Sequence, residues 1–198
     1  MVSLAQVSSR MPHQSTVDAN TFKQAMRQLA GGVTVITAGC GEKISGMTVT
    51  SFSSLTVDPP SVIVGISRSA SSWPLIQGSG RFGTNVLAGD QFEIAKRFTS
   101  QSGLKGPERF QGIPWKPAKS GTPLLVNALA TFDCRVARVI DHHTHMVVIG
   151  DVLDLDVFPG RSGGLVYWSG QYHTVNGNED MRILSEVSMP TARALRES

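Results

Sequence analysis

Apolar and polar positions alternate with a period of two over several short segments, and a helical period holds over a few others. Asp18, a capping residue type, precedes a predicted helix with Phe22, Met26 and Leu29 on one face, and Gly31-Gly32 ends it. Val33-Thr34-Val35-Ile36-Thr37 reads as a strand, and Gly39-Cys40-Gly41 turns the chain toward Ser45-Gly46-Met47-Thr48-Val49-Thr50-Ser51-Phe52-Ser53-Ser54. There Met47 and Val49 alternate with small polar neighbours, so a strand is expected to pass into a hydroxyl-rich turn before Pro59-Pro60 interrupts any ladder. Residues 61–67 form a largely apolar strand, followed by a second hydroxyl cluster over 67–72. Ser71 or Ser72 can cap a short helix through Trp73-Pro74-Leu75-Ile76. Phe82, Thr84 and Val86 alternate in a strand that carries Asn85 near its end, and Asp90 with Glu93 has the spacing of a capping box for a helix through Phe98. Residues 99–123 show little periodicity and predict a long surface excursion, in which Phe110 and Trp115 need a core or a ligand to cover them. Two long β-rich segments follow, 129–140 and 145–157. A strand over 165–168 then turns at Ser169-Gly170 into 171–174. Met181, Leu184 and Val187 have helical spacing before Pro190.

Helices at the start and between strands, with a back half nearly all β, predict an antiparallel barrel with peripheral helices rather than a βαβ fold. Three regions are expected: a flexible extension over residues 1–17, one domain over 18–175, and a tail with a short helix over 176–198. A chain of 198 residues is long enough to bury one core, and 40% hydrophobic with 17% charged residues is ordinary for a globular protein.

The formal net charge of +3 comes with no run of Lys or Arg to track phosphates, so nucleic-acid binding is not expected. Cys40 and Cys134 are far apart and in no metal-ligand spacing, which predicts two reduced and mostly buried thiols. No apolar run reaches bilayer length and the first residues lack the apolar core of a signal peptide, so a cytoplasmic location away from membranes is expected.

The chemistry centres on residues 45–54, where six of ten residues are Ser or Thr and none is charged. Hydroxyls and backbone N–H groups at that density can hold an anion without a cation, and they can equally satisfy their own backbone at a strand edge. His142, His143 and His145 cluster without a cysteine and beside only Asp141, which argues against a metal.

An ordered set of residues resembles the short-chain flavin reductases that serve two-component flavin-dependent monooxygenases. The set comprises Phe22, Ala25-Met26, Gly32 to Thr37, Gly46-Met47-Thr48, Ser51, Ser53-Ser54, Pro59-Pro60, Phe82, Asn85-Val86-Leu87, Gly150 and Leu165-Val166-Tyr167. The resemblance implies a six-stranded antiparallel split β-barrel of Greek-key type with peripheral helices, and a homodimer. The implied activity is reduction of FMN or FAD by NADH or NADPH, with reduced flavin supplied to a separate monooxygenase component. It further implies that Thr48, Val49 and Thr50 lie along the flavin, that Ser51, Ser53 and Ser54 approach its phosphate, and that Asn85, Val86 and Leu87 meet the ring. His145, in a His143-Thr144-His145 triplet five residues before Gly150, matches a family Gly-Asp-His or Gly-Thr-His triplet whose leading glycine is here His143. Histidine reaches φ > 0 less readily than glycine, so the turn is the point of departure. His145, Phe110 and Tyr172 are the implied NAD(P)H contacts.

No Rossmann fingerprint, Ser/His/Asp set or paired carboxylates stand out. Hydride transfer needs none, because the two cofactors carry the chemistry and the protein stacks them at about 3–3.5 Å. No catalytic residue is therefore expected, and the lack of a strong cationic clamp suits a flavin that leaves after reduction. Two other readings of the same barrel are an oxidase related to the pyridoxamine-phosphate group and a flavin- or haem-binding protein without reductase activity.

Overall fold

The computed structural model describes residues 17–158 and 163–175. Residues 1–16 of the expected extension and the expected tail helix lie outside the described residues. Helix α1 (Ala19–Met26) starts where Asp18 predicts: its carboxylate accepts from the N–H groups of Asn20 (2.9 Å) and Thr21 (3.1 Å) and from the Thr21 hydroxyl. These bonds, the Thr21 hydroxyl first, hold the carboxyl below its ordinary pKa. The predicted face of Phe22, Met26 and Leu29 exists but is exposed, so α1 is anchored by its C-terminal turn, where Arg27 O accepts from Ser169 N.

Strands β1 (Gly31–Gly32), β2 (Thr34–Cys40), β3 (Lys43–Val49), β4 (Ser53–Val57) and β5 (Pro60–Ser67) follow. Helix α2 (Trp73–Ser79) leads into β6 (Arg81–Val86), and α3 (Phe92–Arg97) ends before the excursion. The back half holds β7 (Trp115–Pro117), β8 (Pro123–Leu125), β9 (Ala130–His142), β10 (His145–Val157), β11 (Gly164–Trp168) and β12 (Gln171–Val175). The capping expected of Asp90 and Glu93 is replaced by Gln91, which stands at the N-cap of α3 while its Oε1 accepts from Ala88 N (2.9 Å). The excursion is also more ordered than its sequence suggests. It holds two 3-10 turns, the paired strands β7 and β8, and the buried residues Arg109 and Phe110.

The mainly-β expectation with peripheral helices holds, but the six-stranded antiparallel split β-barrel does not, because no sheet closes into a barrel. The strands form three separate sheets: a seven-stranded sheet of order β3-β2-β6-β9-β10-β5-β4, a three-stranded sheet β1-β11-β12, and the pair β7-β8. Closure would require β3 and β4, the two ends of the large sheet, to find strand partners. Instead the outer side of β3 is taken up by non-strand groups, since Thr48 N donates to Phe98 O (3.1 Å) and Gly46 O accepts from Arg109 (2.6 Å). The other end, β4, is exposed along its whole length.

Two apolar clusters form the core. One joins Ile36, Val64, Ile66, Phe82 and Val148 under Ile76 of α2. The other joins Val35, Leu87, Phe98, Phe110 and Leu125, so the excursion and α3 seal the second face of the sheet. Gly150 is required in the first cluster, because a Cβ there would meet the Phe82 ring at 2.5 Å. Cys134 is buried in the same cluster, which pushes its thiol up to about 12 and makes it inert, while Cys40 is exposed. Among the described residues no helix is long and apolar enough to cross a membrane.

Candidate functional site

The end of β3 stands between two cavities. Alternation brings Thr48, Val49 and Thr50 to this end, and β2 holds its inner side through the register Thr34↔Val49 and Val35↔Thr48. On the outer side the Thr48 hydroxyl donates to Ala95 O (2.7 Å), locking the strand to α3. Thr48, Val49, Thr50 and Ser100 line both cavities, so the two are neighbours across one wall.

The first cavity, of about 950 Å³, is walled by aromatics. Phe92 meets Tyr172 edge-on at 5.5 Å, and Tyr172 meets Tyr167 at 5.1 Å. Lys96 and Arg97 face this wall with Glu93 as the cavity's one carboxylate. Burial and the neighbouring Tyr167 raise the Tyr172 phenol above the ordinary tyrosine pKa.

The second cavity, of about 760 Å³, is lined by hydroxyls, cations and apolar groups such as Met47 and Leu104 and, among the described residues, by no carboxylate. Ser51 comes from the 50s turn, Ser67 and His145 from the paired ends of β5 and β10, Ser69 and Ser71 from the loop between β5 and α2, and Lys105 and Arg109 from the excursion. Several of the hydroxyls are already engaged. Ser51 donates to Gly65 O (2.9 Å), Ser71 is paired with Ser45 (2.8 Å) and Ser67 with Ser69 (2.9 Å). The guanidinium of Arg109 is held by backbone alone: Nη1 donates to Gly46 O (2.6 Å) and Phe98 O (2.9 Å), and Nε donates to Leu104 O (2.9 Å). Burial lowers its pKa from the ordinary value.

His145 lies at the rim of this cavity, where the β9–β10 turn is shaped by its neighbours. His143 takes φ 52, the left-handed conformation that a glycine at this position would adopt freely. Arg68 holds the turn in place, donating from Nε to His143 O (2.8 Å) and from its backbone N–H to Thr144 O (3.0 Å), with an ion pair to Asp141. His145 Nδ1 pairs with the Thr144 hydroxyl (2.9 Å), which leaves Nε2 without a partner among the described residues. Among the described residues no three His, Cys, Asp or Glu side chains group as a metal site.

Of the residues singled out from sequence, Thr48, Val49, Thr50, Ser51, His145 and Tyr172 line these cavities, with Tyr172 and His145 in different ones. Ser53 and Ser54 lie on the exposed strand β4, and neither cavity includes them. Asn85 is fully buried with its amide engaged inside the protein: Nδ2 donates to Val35 O (2.9 Å) and Oδ1 accepts from Leu125 N (2.7 Å). Leu87 and Phe110 are buried in the second core, where Phe110 packs edge-on against Phe98 at 5.0 Å, and Val86 also lies outside both cavities. Sequence reading missed Arg109, Lys105, Arg68 and Phe92. Only the aromatic flanked by a capping pattern at Phe92 left a local signal.

Comparison with known proteins places these features in a family. Residues 26–176 match the model of the flavin reductase like domain. The chain is 36% identical over 157 residues to the reductase subunit HsaB of a flavin-dependent monooxygenase from Mycobacterium tuberculosis, covering 79% of this chain and 82% of that one. It is 34% identical over 160 residues to a flavin reductase of Pseudomonas putida, covering 80% of this chain and 91% of that one. Among solved structures it is similar to BorF, the flavin reductase component of a bacterial two-component tryptophan halogenase. There the TM-score is 0.74 and the identity 31%, over 81% of this chain and all of that one. A mainly-β fold with two nucleotide-sized cavities meeting at one strand end is thus that of a flavin reductase, and the chain belongs to the flavin reductase-like family.

Proposed function

We infer that the wall formed by Thr48, Val49 and Thr50 is where flavin and nicotinamide are brought together. The chain is an NAD(P)H-dependent flavin reductase: it takes FMN or FAD with NADH or NADPH and supplies reduced flavin to a monooxygenase component. The observation that carries the site assignment is the shared wall, which makes two cavities direct neighbours at one strand end. The residues present suit both nucleotides. Val49 and the aromatic trio offer apolar surface for a heteroaromatic ring, and the carboxylate-free second cavity suits phosphate. When bound, the flavin accepts a hydride from reduced nicotinamide. The protein's own part is orientation. The bond from Thr48 to Ala95 O fixes the wall, and His145, its Nδ1 occupied, offers Nε2 at the rim as a nicotinamide-side contact.

His145→Ala is expected to raise the KM for NADH about ten- to a hundredfold while flavin affinity changes little, because one positioning contact is lost and no acid–base step. Unchanged NADH kinetics at saturating flavin would remove His145 from the site.

The protein is a homodimer in this reading. Leu55 and Val57 on the open strand β4, with Val139, Ile140, Leu153 and Leu155 on β9 and β10, are exposed apolar side chains that a second copy would cover. Sedimentation as an active monomer at micromolar concentration would exclude this arrangement.

A further inference from the structure

We propose that Arg109 is the anion-holding residue of the second cavity, presenting Nη2 to a phosphate of the nucleotide bound there. The proposal rests on the site assignment above and extends it to a residue on a different segment.

A guanidinium has five N–H donors: one on Nε and two on each terminal nitrogen. Nε is used on Leu104 O, and both hydrogens of Nη1 are used on Gly46 O and Phe98 O. Among the described residues Nη2 therefore keeps two donors without an acceptor, on a residue that lines the cavity. The three carbonyls belong to β3, to the end of α3 and to the excursion, so the group is fixed from three sides before any ligand arrives. No carboxylate among the described residues lines the cavity to neutralise it. A buried cation held only by neutral acceptors is incompletely compensated, and an incoming anion supplies the missing charge. The competing donors are few, since Ser51 donates to Gly65 O and the Ser67 and Ser69 hydroxyls bond each other. Lys105, which also lines the cavity, adds a second positive charge. The ligand class is a nucleotide phosphate, which either the flavin or the nicotinamide dinucleotide can bring.

The experiment compares wild type with Arg109→Gln and Arg109→Lys, each checked for folding by circular dichroism. Affinities for FMN and for riboflavin, which lacks the phosphate, are read from flavin fluorescence quenching, and NADH kinetics are read at saturating flavin. If the flavin phosphate is held, the preference for FMN over riboflavin should fall about tenfold in Arg109→Gln, with partial recovery in Arg109→Lys and an unchanged KM for NADH. If the dinucleotide phosphates are held, that preference should stay and the KM for NADH should rise about tenfold with kcat within about twofold. Equal losses for FMN and riboflavin with NADH kinetics unchanged, or no change at all, would overturn the proposal. Should Arg109→Gln fail to fold, inorganic pyrophosphate is titrated into the wild-type protein. Inhibition competitive with FMN or with NADH, weakened in Arg109→Lys, supports the anion site, and no inhibition at tens of millimolar refutes it. A silent His145→Ala beside a clear Arg109 effect would displace the nicotinamide assignment and leave the anion site standing. The reverse result would do the opposite.

Discussion

The two cavities on either side of the β3 end share four wall residues and differ in almost everything else. The aromatic one is built mainly from segments that carry their own local pattern: helix α3 with Phe92, and the β11–β12 hairpin with Tyr167 and Tyr172. The other is assembled from pieces distant in sequence, the 50s turn, the end of β5, the histidine turn and the excursion, and all of its fixed charge is positive. Strand β3 can serve two chemistries because its groups face different partners: the Thr48 hydroxyl in the wall is tied to Ala95 O, while the Gly46 carbonyl, two residues before the wall's Thr48, is tied to Arg109.

The largest break in this arrangement should come from Gly46→Val. A Cβ there would meet the Phe98 ring at 2.8 Å and Ile36 O at 2.9 Å, and both Gly46 and Phe98 supply carbonyls to Arg109. Overpacking of this kind costs about 1–3 kcal/mol or more, so thermal unfolding should shift down strongly and both cavities should lose their ligands together. Loss of one affinity without the other would show that the wall is not shared. A smaller effect is expected from Thr48→Val, which keeps the shape and removes the bond to Ala95 O. Stability should fall by about 1 kcal/mol, with α3 loosened and the aromatic cavity affected first. Calorimetric melts with parallel flavin titrations would check this, and an unaltered melting temperature would mean that the bond contributes nothing.

The smallest effect belongs to Tyr172→Phe, which keeps the ring contacts with Phe92 and Tyr167. Its expected signature is spectroscopic. The folded Tyr172 phenol ionises above the ordinary value of 10.0, so it binds its proton more tightly in the native state than in the unfolded one. The stability linked to it is therefore complete below pH of about 10 and declines as pH rises past that value toward the folded pKa. An alkaline titration of phenolate absorbance should lose its late step in the variant, and persistence of that step would assign it elsewhere.

What could be read from sequence was local. Asp18 caps α1 as its position implies, and the turn at Ser169-Gly170 is where the composition puts it, with φ of 51 and 84. Strand β6 forms where the alternation of Phe82, Thr84 and Val86 puts one, but residues 82–85 are all buried, so both of its faces are covered. The Arg109 anchor was invisible because its acceptors are backbone carbonyls, one of them 63 residues away, and a carbonyl leaves no mark on residue identity. Asn85 shows the opposite failure. Its position on β6 was clear, but the sequence could not tell that its amide bridges Val35 and Leu125 instead of facing a cavity. The closed barrel failed for a related reason: strand count and alternation are local properties, whereas closure depends on which groups reach the outer side of β3.

The place of β5 in the large sheet bears on how the chain is made. Its register runs from Ser61↔Asp151 to Ser67↔His145, so its pairing with β10 waits for residues far along the chain, and β4 is its only nearby partner. During synthesis the apolar run of Val62, Val64 and Ile66 emerges long before the strand that will flank it. Non-local pairing of this sort slows folding and prolongs the exposure of an aggregation-prone strand. A ribosome that stalls before residue 145 would hold a nascent chain with that strand unprotected on one side, the stage at which a chaperone has most to do.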